Sequence, residues 1–96
     1  MLLLKNDIES HFKSLSHYWT LNSKMDRLYF RKETQSFNEG LQIANMIGKI
    51  ADELWHHPEL TIKFKSLELE MTTHDKNGLT KLDYKFAEEL DKKLNL

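Results

Sequence analysis

Apolar residues return along this chain in more than one rhythm, and each rhythm predicts an element. Leu4, Ile8, Phe12 and Leu15 recur at intervals of four, four and three, the spacing of one helix face, so a short first helix is expected. Residues 17–22 and 26–32 are two aromatic-rich runs separated by Asn22-Ser23-Lys24, the pattern of a hairpin. Ser36 then precedes Phe37-Asn38-Glu39. A serine hydroxyl can accept from the backbone N–H at the third helical position while Glu39 reaches back, which is a capping box opening a long helix. Two apolar stripes run along that helix: Phe37, Leu41, Ala44, Gly48, Ala51 and Trp55, and beside them Ile43, Ile47, Ile50 and Leu54. One stripe is enough to cover a sheet. The second faces either another subunit or the depth of one core, and the pattern leaves both open.

Pro58 cannot continue the helix and biases His57 away from the helical region, which places His56 and His57 at the helix exit. Residues 60–65 and 67–73 read as two strands. In the second, Leu67, Leu69 and Met71 alternate inward against Glu68 and Glu70. Asn77-Gly78 offers a left-handed turn, and Thr80 with Asp83 three residues on caps a last helix with the face Leu82, Phe86, Leu90, Leu94. The expected order is α-β-β-α-β-β-α. Hairpins cannot make parallel crossovers, so the fold class is α+β: a four-stranded antiparallel sheet with three helices packed on one face.

Composition narrows the function classes. At 96 residues the chain is long enough for one modest core, and a single domain over 1–96 is expected. Lys and Arg number 14 against 15 Asp and Glu, so no positive surplus is available to neutralise phosphates and nucleic acid is not expected as a direct partner. The absence of cysteine removes disulfides, thiolate nucleophiles and cysteine-held zinc. The apolar run Met1-Leu-Leu-Leu stops at Lys5, short of a signal segment or a membrane span, so a soluble, cytoplasmic protein without membrane contact is expected.

What chemistry remains is carried by histidine. His56 and His57 stand in Asp52-Glu-Leu-Trp-His-His-Pro58, and His74 follows Thr73 before Asn77-Gly78. Imidazole titrates near neutrality unassisted, so three of them beside carboxylates suit proton transfer in both directions. Each also has a plain explanation. Adjacent histidines at a helix exit favour the negative end of the helix dipole, His74 alone suits a surface turn, Asp52 a solvated helix and Asp83 a cap. If the second hairpin leads back along the long helix, the His74 loop comes to lie beside the helix exit and one site results. Zinc would accept three imidazoles and a water, but neighbouring His56 and His57 diverge more than an i, i+4 pair and no HExxH is present, so no metal is expected. Asp52, one helical turn before His56, is expected to orient that ring.

The set Asp52, His56, His57, Pro58, Phe64, His74 and Asp83 resembles the active-site signature of the pterin-4a-carbinolamine dehydratase family in residue types and spacing. Trp19, Phe37, Thr73-His74 and Gly78-Leu79-Thr80 also resemble family positions, and the likeness runs from about Tyr18 to the C-terminus. The polar segment 31–35 departs from the family's aromatic rhythm, which leaves the end of the second strand and any partner surface there in doubt. The resemblance implies a hydro-lyase that dehydrates 4a-hydroxytetrahydropterin to quinonoid dihydropterin, in recycling of the pterin cofactor, by acid-base chemistry with no cofactor of its own. It implies His56 and His74 as proton donors to the hydroxyl and His57 as pterin holder and base. Asp83 would border the pocket, and backbone near Thr73 together with Phe64 would contact the substrate. A homodimer or homotetramer through the helix around Ile43 to Leu54 is expected. The alternative implied by the resemblance is a non-catalytic binding partner on the same fold, a transcription cofactor or an assembly factor.

Overall fold

The computed structural model describes residues 1–96. Its elements are α1 (Lys5–Phe12), β1 (Trp19–Leu21), β2 (Leu28–Glu33), α2 (Phe37–Leu54), β3 (Glu59–Lys63), β4 (Ser66–Met71) and α3 (Lys81–Leu94), with a 3-10 turn at His74–Lys76. The strands form one antiparallel sheet in the order β1-β2-β4-β3. Trp19, Leu28, Phe30, Leu67, Leu69 and Met71 point inward and join Ile8, Ile43, Ile47, Ile50, Tyr84, Phe86 and Leu90 in one core. This is the α+β class and order expected from the pattern.

The period-two alternation explains why the sheet is covered on one side only. In β2, buried Leu28 and Phe30 alternate with exposed Tyr29 and Arg31, and Arg31 stands opposite Glu68 of β4 with an ion pair at 3.5 Å. The polar segment 31–35 is therefore mostly strand: β2 continues to Glu33, whose partner is Ser66. The hairpin β3–β4 turns at Phe64-Lys65, so β3 ends two residues before the expected Lys65, and β4 ends at Met71 rather than Thr73.

Helix α2 corrects the assignment of its two stripes. Ile43, Ile47 and Ile50 are buried inside this chain and Leu54 is half-buried, so they are the core face rather than a surface for a second copy. The branched stripe fills the space over the sheet because buried Gly40 lets the helix approach: a Cβ there would stand 3.3 Å from Ile62 Cγ2. The residues left outside are Phe37, Leu41 and Trp55 of the other stripe, with Met46. At the start of α2, Ser36 Oγ accepts from the Glu39 N–H, while Glu39 Oε1 accepts from Gln35 instead of Ser36, so only half of the expected box forms.

The first residues also depart from expectation. Leu4 is exposed and outside α1; the Leu3 N–H donates to Leu79 O, which holds this end extended against the loop before α3. In that loop Asn77 alone takes the left-handed conformation, and the Leu2 side chain lies over Gly78, where a Cβ would meet Leu2 Cδ2 at 2.9 Å and displace that half-exposed side chain. At the far end of the molecule the Asp91 carboxylate accepts from Ser16 N–H, Ser16 Oγ and Trp19 Nε1 at 2.8, 2.9 and 3.0 Å, fastening the α1–β1 connection to α3. No helix is long and apolar enough to cross a membrane.

Candidate active site

The site begins with how α2 stops. Trp55 adopts φ 52°, ψ 46°, and the closing hydrogen bonds run from Trp55 N–H to Asp52 O and from His56 N–H to Ala51 O. This is a Schellman ending, in which one left-handed residue reverses the chain and satisfies the last carbonyls. Pro58 then bars any return to helix. The reversal sends the two histidines in different directions: His56 is buried and His57 exposed.

His56 Nε2 lies 2.7 Å from Asp83 Oδ1. Asp83 has no exposed surface, yet its carboxylate is fully engaged: Oδ2 accepts from Thr73 Oγ1 at 2.8 Å and from the Thr80 N–H at 2.8 Å. Thr80 Oγ1 in turn meets Thr73 Oγ1 at 2.9 Å and caps the N–H of Leu82. The capping box of α3 is therefore also the anchor of His56, and it ties together the exit of α2, the end of β4 and the start of α3. Burial, and secondarily the neighbouring Asp83 carboxylate, push the Tyr84 phenol up to about 12; its hydroxyl donates to Ile8 O.

His57 Nε2 lies 3.0 Å from Asp52 Oδ1, both partners open to solvent. The expected pairing is thus reversed: Asp52 orients His57, and Asp83 holds His56. The cause is the left-handed residue between them, because His56 no longer sits one helical turn beyond Asp52, whereas the reversed chain brings His57 back over it. His74 is exposed in the 3-10 turn directly after Thr73, and its ring makes no hydrogen bond within the chain. The bond from Thr73 to Asp83, shared with His56, brings the His74 loop beside the exit of α2, so His56, His57 and His74 occupy one end of the sheet.

The two residues expected at the substrate stand in different places. Phe64 is 74% exposed at the β3–β4 turn, at the opposite end of β3 from Pro58. The Thr73 backbone is already used, its N–H donating to Gly78 O and its carbonyl accepting from Lys76 N–H, both at 3.0 Å. Nor do the histidines line a cleft: five surface cavities are present, and none is bordered by Asp52, His56, His57, His74 or Asp83. The histidine face is an open ledge. Thr80 joins the network although its sequence signal was only that of a cap, and Trp55, read as part of a helix stripe, packs edge-on to His57 with ring centres 5.6 Å apart.

Chemically, the arrangement holds one imidazole by its Nε2 in a buried network, its Nδ1 without a partner in the chain, and offers two more to solvent, one of them hydrogen-bonded to a carboxylate. In His57 the nitrogen not facing Asp52, Nδ1, is the one left to exchange a proton with a ligand.

Comparison with known proteins bears on the family of the chain. The family model described as pterin 4 alpha carbinolamine dehydratase matches residues 1–93. Relatives that bear the name "putative pterin-4-alpha-carbinolamine dehydratase" include one from Rickettsia canadensis, 33% identical over 92 residues, covering 96% of this chain and 84% of the relative. One from Metallosphaera sedula is 31% identical over 85 residues, covering 88% and 85%. A third, from Natronomonas pharaonis, is 42% identical over 59 residues, but that stretch spans only 62% of this chain and 64% of the relative. Among solved structures, a transcriptional coactivator/pterin dehydratase from Brucella melitensis superposes with a TM-score of 0.87 at 21% identity over 96% of this chain and 97% of its own. A pterin dehydratase-like protein identified as a RuBisCO assembly factor in the alpha-carboxysome superposes at 0.65 and 16% identity over 79% and 88%. With its whole length but three residues covered by one family model, the chain belongs to the pterin 4 alpha carbinolamine dehydratase family.

Proposed function

We propose that this protein removes water from a 4a-hydroxytetrahydropterin, giving the quinonoid dihydropterin, with the protons carried by imidazole. Hydroxide is a poor leaving group and departs as water only if it gains a proton. As the carbon–oxygen bond breaks, the ring nitrogen beside the carbinol carbon loses its hydrogen and its electron pair closes the new carbon–nitrogen double bond. One proton is given and one is taken, so an acid and a base flank the ring and no net proton is consumed. A positioned group of suitable pKa typically contributes about a hundredfold to ten-thousandfold.

His57 and His74 suit these two tasks because both rings are solvent-open. His57, its Nε2 held by Asp52, serves as the base through Nδ1, and His74 as the donor to the hydroxyl. His56 is given a different role from the one its position in the signature implies: with Nε2 on Asp83 and its ring buried, it holds the ledge in place. The observation that carries the reading is this division of adjacent histidines, one held through Nε2 by a buried carboxylate and one presented to solvent by an exposed carboxylate, in a chain of this family.

The direct test is turnover by the purified protein. The carbinolamine is produced in the cuvette by an aromatic amino acid hydroxylase and formation of the quinonoid product is followed by absorbance. Acceleration over the spontaneous dehydration that survives a chelator is expected; a rate equal to the spontaneous one would overturn the proposal.

A second reading, that of a binding partner without catalysis, draws on the exposed Phe37, Leu41 and Trp55 along α2 and on a fold shared with a coactivator and an assembly factor. It gains only if turnover is absent while a partner binds that face.

A further inference from the structure

Four residues of this chain other than glycine take the left-handed backbone conformation: Met25, Trp55, Asn77 and Asn95. Two are asparagine, the residue that tolerates this region best after glycine. Met25 is half-buried and packs on the core. Trp55 has neither excuse. It is a bulky side chain at φ 52°, its indole makes no hydrogen bond, and it is 83% exposed, so the backbone strain and the exposed apolar area bring no packing within the chain. The left-handed backbone closes α2, but glycine or asparagine would serve that turn better, and a tryptophan left 83% exposed there directs attention to function. What Trp55 does touch is His57, at 5.6 Å between ring centres and 84° between ring planes.

We infer that the Trp55 indole is the stacking wall for the planar ring of the substrate, setting it against His57; this inference rests on the pterin reading of the site. A fused bicyclic heterocycle lying parallel to the indole is crossed by the plane of the His57 imidazole nearly at a right angle. His57 therefore does not itself stack on the heterocycle, and its ring nitrogens stay free to reach the ring N–H that it takes as base. No cavity encloses the histidines, and the 83% exposed indole beside His57 offers a flat ligand an aromatic face. Stacking of a base on one aromatic side chain is worth about 1–3 kcal/mol by truncation, and this is what separates a weak ledge from a usable site.

The test uses three substitutions that separate the ring from the backbone. Trp55→Phe keeps an aromatic face, Trp55→Ala removes it, and Trp55→Asn removes it while relieving the left-handed strain. Affinity for dihydrobiopterin is measured by calorimetry, with kcat and KM for the carbinolamine, thermal unfolding and light scattering alongside. The Phe variant is expected within about threefold of the parent, and the Ala and Asn variants to weaken Kd and raise KM by about tenfold or more, with kcat within about threefold. Trp55→Asn is expected to melt no lower than the parent, so its lost affinity is not lost folding. Affinity of Trp55→Asn within about twofold of the parent overturns the inference, and so does a loss of affinity that appears only together with a change in assembly state. If the parent turns over the carbinolamine and the Asn variant is unimpaired, Trp55 alone was misjudged. If the parent neither binds dihydrobiopterin nor exceeds the spontaneous rate, the pterin reading and the stacking role fall together.

Discussion

Replacing either of two neighbouring histidines by alanine is expected to do opposite things. The His57 side chain is 53% exposed and its one partner, Asp52, is 79% exposed, so the pair is solvated and worth about 0.2–1 kcal/mol. His57→Ala therefore shifts Tm by only a few degrees, at about 4–8 °C per kcal/mol for a domain of this size. Its kcat/KM falls by about a hundredfold to ten-thousandfold. The His56 side chain is 9% exposed against a carboxylate with no exposure at all. His56→Ala leaves Asp83 Oδ1 buried without its partner, a loss of about 3–5 kcal/mol. A 96-residue chain has a total stability of about 5–14 kcal/mol, so this is a third or more of it in most of that range, and Tm falls by more than about 10 °C. Urea denaturation read by circular dichroism gives both stabilities, and the dehydration assay is run well below each midpoint. The reasoning is refuted if His57→Ala is as destabilised as His56→Ala, if it keeps full turnover, or if His56→Ala costs less than about 1 kcal/mol.

Three further outcomes follow from the same geometry. Asp52→Asn is expected to leave Tm within about 3 °C while lowering kcat about tenfold or more, and combining it with His57→Ala should add little; full additivity would separate Asp52 from His57. Ile47→Glu, which would loosen an oligomer if its stripe were a surface, is instead expected to unfold the chain because Ile47 is 1% exposed, whereas Leu41→Glu should leave the melting curve close to the parent's; circular dichroism with light scattering decides. The Tyr84 phenol, raised from 10.0 to about 12 in the fold, ionises first in the unfolded chain, so stability is full below pH 10 and declines as pH rises from 10 to 12. Tyr84→Phe should flatten that decline in pH-dependent denaturation, and an unchanged slope would assign it to other groups.

The fold was legible in the sequence because each element buries one face. The alternation of Leu67, Leu69 and Met71 and the spacing of Phe86 and Leu90 report their own environment, and both sets are buried. Boundaries that depend on backbone conformation were less readable. Phe64-Lys65 turns a hairpin without glycine or asparagine, and nothing in its residue types announces this. The second stripe of α2 was left open between core and interface because hydrophobicity alone does not distinguish a core face from an uncovered one; the buried Gly40 against Ile62 helps to decide it, and that is a contact between elements. At the site, the residue types were legible and their partners were not. Asp52 precedes His56 by a helical turn, but a single left-handed residue reverses the chain and gives the carboxylate to His57. The capping signature of Thr80 and Asp83 was correct and incomplete, since the same carboxylate also holds His56.

The Asp91 clasp carries a consequence in time. Its three donors on Ser16 and Trp19 lie 72 to 75 residues earlier in the chain. During synthesis at about 5–20 residues per second, the α1–β1 segment waits about 4–15 s after its own emergence before Asp91 exists to receive it. Through that interval Leu3, Leu15 and Trp19 have no completed core to join, and β1 has to rely on β2 alone. The first fifth of the chain is thus the part of the nascent protein most in need of protection, and mutations that weaken the clasp should lower the yield of folded protein in cells more than they lower the stability of the protein once folded.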